Sequence, residues 1–144
     1  MTLARFVLAL TIALAAGAQS KTWGGSWTAT IGSANRVLGG TWDGTVGATP
    51  DTAQGNWTLN DQTGATLASG TWAARKDGKT WQGSWQARDA AGQVHSGTWQ
   101  AQTQLSRTAG MAELFEAALA ATTRGTWRMG PAYGGGWAIR AFAR

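Results

Sequence analysis

The tripeptide Gly-x-Trp recurs eight times in this chain and constrains its fold more than any other feature. The tryptophans of these triplets are Trp27, Trp42, Trp57, Trp72, Trp85, Trp99, Trp127 and Trp137. Successive tryptophans are separated by 15, 15, 15, 13, 14, 28 and 10 residues. A repeat of this length has room for one β-strand and one turn. The spacing therefore predicts eight strands, with an additional element inside the longest gap.

The residues within each repeat alternate between apolar and polar. In residues 79–89, tryptophan, glycine and alanine share one face, while glutamine, serine and arginine share the other; residues 93–103 follow the same pattern. A period of two with one apolar face is typical of antiparallel strands that are buried on one side. We therefore expect the eight triplet tryptophans to form the structural core.

Turn residues between the strands suggest a register. If each tryptophan lies opposite the glycine of the next triplet, so that Trp72 faces Gly83, the hairpin centres fall in Gly-, Asp- or Pro-containing turns. One such centre is Asp77-Gly78. The glycine would leave room for the indole ring of its cross-strand neighbour.

The longest gap is predicted to hold an amphipathic helix over residues 109–122. Its apolar positions at helical spacing are Met111, Leu114, Phe115, Ala118 and Thr122. Ser106 or Thr108 can cap its start. Trp23 and Trp81 stand outside the triplets at the starts of the first and fifth strands, and we expect them to lie beneath this helix.

These elements predict an all-β fold with one helix: an eight-stranded antiparallel up-and-down meander barrel of Gly-x-Trp strands, with the helix between strands 6 and 7. Closure of the sheet would leave no unpaired edge. Eight strands make a barrel just wide enough for side chains to fill. We therefore expect a filled or narrow interior.

An alternative with reversed faces is a small outer-membrane barrel, whose exterior is apolar and whose interior is polar. Membrane tryptophans gather at the two interfaces, whereas these lie in the middle of the strands. The apolar face is also poor in leucine, isoleucine and valine. A lumen lined with hydroxyl and amide groups would have few charged partners. These three features favour the barrel with an apolar interior.

The first 18 residues have the pattern of a secretory signal peptide. Arg5 precedes the apolar run 6–16, and Ala16-Gly17-Ala18 forms a cleavage site. The apolar run is too short for a helix that spans a bilayer. We therefore expect residues 19–144 to form a single exported domain in the periplasm or outside the cell, with the outer membrane as the alternative.

The composition of the chain limits which binding partners and which catalytic chemistry we expect. The chain has no cysteine, so we expect neither disulfides nor a thiol metal site. Its net charge of +5 is spread along the sequence, so no specific nucleic-acid partner is expected. With one histidine, His95, and carboxylates assigned to turns or surfaces, no metal cluster, cofactor site or catalytic group of residues is apparent. We expect a protein that is not an enzyme.

The strand alternation places an apolar rim at the end of the barrel opposite the predicted helix. Its candidate ligand-binding residues are Leu38, Leu59, His95, Met129 and Tyr133. An apolar rim with one imidazole and one phenol suits a small amphiphile. The alternative is that both polar groups satisfy nearby backbone or face water.

Gly25-Ser26-Trp27 in the first strand, with Arg140 in the last, resembles the calycins, the group of the lipocalins and avidins. The resemblance implies an eight-stranded up-and-down barrel. This chain differs because it repeats the triplet in every strand and places its helix before strand 7 rather than after strand 8. The resemblance implies no particular ligand.

The sequence thus predicts an exported, non-enzymatic barrel with a binding or structural role in the cell envelope or outside the cell. Its partner would be an envelope component or a small ligand. The alternatives are the outer-membrane barrel and a carrier of a small amphiphilic ligand.

Overall fold

The computed structural model describes residues 21–31 and 36–142. The predicted signal peptide lies outside these residues. The strands and the helix are β1 (Thr22–Thr30), β2 (Val37–Val46), β3 (Thr52–Asn60), β4 (Thr66–Asp77), β5 (Thr80–Asp89), β6 (Val94–Gln102), α1 (Met111–Ala120), β7 (Thr123–Met129) and β8 (Tyr133–Ala141).

The eight strands form a closed antiparallel barrel in which each strand pairs with the next and β8 pairs with β1. The predicted meander and the position of the helix between β6 and β7 are confirmed. Among the described residues, four turns use glycine at positive φ, namely Gly64, Gly78, Gly92 and Gly130. The backbone can follow these tight reversals because glycine lacks a Cβ.

The apolar face of the strands points into the barrel. On the outside, polar side chains such as Ser84, Gln86 and Thr98 are exposed. An outer-membrane barrel has the opposite arrangement, with an apolar band around its exterior. The faces are thus oriented as predicted for the barrel with an apolar interior, and not as in an outer-membrane barrel.

The register differs from the prediction in every second pairing. Trp27 lies opposite Gly40 and Trp57 opposite Gly70, as predicted. Between β2 and β3, β4 and β5, and β6 and β7, however, tryptophan lies opposite tryptophan: Trp72 faces Trp85, not Gly83. The two-residue turn Gly78-Lys79 sets this register, because it pairs Asp77 with Thr80. Gly83 instead contacts the ring of Trp99 on β6.

The helix is shorter than predicted. It begins at Met111 and ends at Ala120, so Thr122 lies outside it. Its N-cap is Gly110, not Ser106 or Thr108, and the Gly110 amide donates to Glu113 Oε2 at 2.8 Å. The carboxylate of Glu113 therefore satisfies an amide that has no partner within the helix.

The helix covers one end of the barrel. The Met111 amide donates to the carbonyl of Pro50 in the β2–β3 turn at 2.7 Å. Met111, Leu114 and Phe115 are each at most 3 % exposed. They share a buried cluster with Trp23 and Trp81, as expected from the sequence. The opposite end, where the even-numbered strands begin, is called the mouth below.

Candidate functional site

A cavity of about 270 Å³ lies inside the barrel. All eight triplet tryptophans contribute to its wall. The remaining lining residues are Ala29, Leu38, Leu59, Met111, Leu114, Phe115 and Ile139. Apart from the indole nitrogens, every side chain of this lining is free of nitrogen and oxygen. The interior is narrow, as predicted, but it is not completely filled.

The tryptophans are arranged in two rows along the wall. The mouth row comes from the odd-numbered strands, and the helix row from the even-numbered strands. The mouth row is Trp27, Trp57, Trp85 and Trp127, and the helix row is Trp42, Trp72, Trp99 and Trp137. Successive rings within a row meet edge to face, with centroids 5.8–6.5 Å apart. This geometry is favourable for the indole quadrupole, so each ring orients the next.

The indole N–H groups are directed into the barrel wall. Seven of the eight triplet tryptophans donate Nε1–H to a main-chain carbonyl at 2.8–3.2 Å. Trp85 is the exception, and its Nε1 has no partner among the described residues. Because these donors are occupied, the cavity is lined almost entirely by ring carbons and aliphatic groups.

Triplet glycines make possible the four hydrogen bonds that cross an intervening strand. Trp27 on β1 lies across Gly40 on β2, and its Nε1 reaches the Thr58 carbonyl of β3 at 2.9 Å. A Cβ on Gly40 would collide with that same carbonyl. Three further indoles reach the strand beyond in the same way, those of Trp42, Trp72 and Trp127. In these triplets, a glycine in the intervening strand leaves the space that the indole needs.

Phe115 of the helix forms the closed end of the cavity. Its ring centroid lies 5.6 Å from that of Trp23, 5.5 Å from that of Trp42 and 6.1 Å from that of Trp72. The helix therefore packs directly on the helix row. A displacement of Phe115 would open the cavity at this end.

Lys76 fixes the segment that leads into the helix. Its side chain is 6 % exposed, and its ammonium donates to the carbonyls of Arg107 and Ala109. The Nζ also lies 5.1 Å from the ring centroid of Trp81. Lys76 was not predicted as a functional residue, although it shares the inward alternation of Trp72 and Ala74. A charged residue at an inward position was the signal that could have revealed it.

His95 lies at the mouth and has an acidic partner. Its Nε2 is 3.1 Å from Oδ2 of Asp89, a residue that was predicted only to form a turn. The hydrogen bond from His95 lowers the pKa of Asp89 below its ordinary value of 3.8, with further contributions from the amides of Gln93 and Ala91. Asp89 thus both caps its turn and orients the imidazole. Within the described residues, His95 hydrogen-bonds only to Asp89.

Only two of the five predicted ligand-binding residues lie in the cavity wall. Leu38 and Leu59 line the cavity near the mouth. His95, Met129 and Tyr133 lie at the same end of the barrel but are not part of the lining, and Tyr133 is 58 % exposed. Arg140 pairs with Ser26, which places it beside the first triplet as the sequence suggested.

In residues 21–31 and 36–142, no three His, Cys, Asp or Glu side chains form a group that could hold a metal ion. No helix in this part of the chain is long and apolar enough to cross a membrane. Comparison of the chain with protein families, with curated proteins and with solved structures found no match.

Proposed function

We propose that this barrel binds a small apolar molecule, or the apolar part of an amphiphile, in its tryptophan-lined cavity. The cavity carries this proposal, because its wall offers aromatic and aliphatic surface and almost no free hydrogen-bonding group. Ligand pockets are typically concave, largely preformed and lined by such side chains. The role is binding rather than catalysis, and the chain is exported by the segment 1–18.

The volume limits the size of the ligand. An apolar cavity of about 150 Å³ stays dry and takes up benzene. The cavity here, at about 270 Å³, is nearly twice that size. A fused two-ring hydrocarbon or a medium-length alkyl chain fits this space. A polar head group would remain at the mouth, near His95 and Asp89.

A series of straight-chain alcohols tests the proposal by calorimetry. Each additional methylene buried in the cavity should contribute about 0.8 kcal/mol, so affinity should rise about fourfold per carbon. The increase should stop once the chain fills the cavity. The absence of saturable binding for every chain length would refute the proposal and leave the barrel with a structural role.

A pair of phenylalanine variants locates the binding site. Ala29 lines the cavity, so Ala29→Phe should fill part of it and shorten the longest alcohol that binds. Ala90 is exposed in the β5–β6 turn, so Ala90→Phe serves as the control and should bind the series like the unmodified protein. Equal effects of the two variants would place the binding site elsewhere.

A further inference from the structure

Large apolar side chains are exposed mainly at the mouth of the barrel. Among the described residues these are Val37 (64 % exposed), Leu67 (47 %), Val94 (56 %), Tyr133 (58 %) and Phe142 (58 %). The first four lie at the starts of β2, β4, β6 and β8, and only Phe142 lies at the helix end. Four of the five therefore share one end, although single exposed apolar residues are normally scattered.

The positions of these four residues form a ring rather than a one-sided patch. The even-numbered strands alternate with the odd-numbered ones around the closed barrel, and all of them begin at the mouth. The four side chains are thus distributed around the whole circumference. A partner that this end of the barrel enters can contact all four, whereas a partner on one side can contact only one or two.

The mouth of the barrel also carries charged side chains. Arg36, Arg88 and Arg128 are exposed there. The two carboxylates of the neighbouring turns are engaged locally: Asp61 accepts from the Thr63 hydroxyl and two amides, and Asp89 accepts from His95 and two amides. Three guanidinium groups against these two ionised carboxylates leave the described part of this end with a small net positive charge.

We propose that the mouth of the barrel docks on an anionic phospholipid bilayer, with the apolar ring entering the interface and the arginines contacting lipid phosphates. Apolar insertion together with basic residues is the combination by which proteins attach to membrane surfaces. The inference goes beyond ligand binding and does not depend on it, because docking requires only the rim.

Sedimentation with vesicles tests the inference on the chain without residues 1–18. Binding is expected to vesicles of phosphatidylcholine with phosphatidylglycerol, and weaker binding to phosphatidylcholine alone. The triple variant V37S/L67S/V94S should reduce the partition coefficient about tenfold or more, since three apolar contacts are lost. Phe142→Ser is the matched control, and it should bind like the unmodified protein because Phe142 lies at the other end.

A second variant separates the roles of charge and apolar contact. Arg88→Gln with Arg128→Gln should remove most of the preference for phosphatidylglycerol but leave the weak binding to phosphatidylcholine. Failure of the protein to sediment with both kinds of vesicle overturns the inference. So does a triple serine variant that binds like the unmodified protein, because binding would then be non-specific attraction of a basic protein. The results with vesicles do not depend on the alcohol titration, so either proposal can fail while the other stands.

Discussion

Trp27 lies over Gly40, and its indole nitrogen donates across that glycine to the Thr58 carbonyl of the next strand at 2.9 Å. The glycine is required because a Cβ at position 40 would occupy the space of that carbonyl. We therefore predict that Gly40→Ala destabilises the barrel by about 1–3 kcal/mol, the usual cost of overpacking. Thermal or urea unfolding measures the loss.

Gly136→Ala is the control for this prediction. A Cβ there would make only ordinary contacts of 3.6 Å and 3.7 Å with Thr30 Oγ1 and the Gly125 carbonyl. Alanine is generally better than glycine within a strand, so stability should stay equal or increase slightly. Equal destabilisation by the two substitutions would contradict the special role of the triplet glycine.

Phe115→Ala should uncover the closed end of the cavity. The ring contacts Trp23, Trp42 and Trp72, and truncation of a buried phenylalanine typically costs about 3–5 kcal/mol. Tryptophan emission should shift to longer wavelength as water reaches the helix row. Glu116→Ala changes an exposed neighbour on the same helix and should alter neither property. A helix that is not part of the fold would give native emission in both variants.

Lys76→Met should loosen the segment before the helix. Methionine fills a similar volume, but the carbonyls of Arg107 and Ala109 would lose their donor, at a cost of about 1–3 kcal/mol. Limited digestion with trypsin should then cut faster after Arg107. Lys79→Met, at an exposed turn position, provides the comparison. If both variants resist trypsin equally, Lys76 does not hold this segment.

His95→Ala should raise the pKa of Asp89 towards its ordinary value, because the imidazole hydrogen bond is the largest cause of the lowering. NMR titration of the carboxyl carbon measures this change. Asp61 provides an internal control: its pKa is lowered first by the Thr63 hydroxyl, which the substitution does not touch. A shift of both carboxylates would indicate a general change in the barrel.

The same two carboxylates predict the acid sensitivity of the fold. Each has a lower pKa in the folded state, so its stabilisation is present above the ordinary value of 3.8 and is lost as pH falls through the folded value. Asp61→Asn with Asp89→Asn should therefore flatten the dependence of stability on pH in this acidic range. Unfolding curves measured from pH 5 to about 2 test this. An unchanged slope would mean that other groups control acid unfolding.

The local pattern of the sequence was sufficient to predict the barrel. Alternation and turn residues are properties of neighbouring positions, and they correctly predicted eight strands, an apolar interior and the site of the helix. The end of the helix was less predictable: Thr122 continues the apolar spacing, but the chain leaves the helix at Ala121 to reach β7. Helix ends depend on where the chain must go next, which periodicity does not encode.

The sequence also predicted part of the candidate site. It identified the eight tryptophans and the rim residues Leu38 and Leu59, because each has an inward position in a strand. It missed the pairing of Asp89 with His95, because a contact between residues at opposite ends of a turn can be predicted only when the geometry of the turn is known. It also missed Lys76, whose partners lie more than 30 residues away in the chain.

The alternation of apolar and polar residues was enough to predict which residues face inward and that the sheet closes, because a strand with one apolar face needs an enclosed interior. The folded barrel alone decided the register between β2 and β3, β4 and β5, and β6 and β7, where tryptophan lies opposite tryptophan. It also decided that eight indoles leave an unfilled space. Seven of the eight rings are held at the wall by a hydrogen bond to a carbonyl of a neighbouring strand or of the strand beyond it. The rings therefore cannot collapse onto the barrel axis, and a cavity remains.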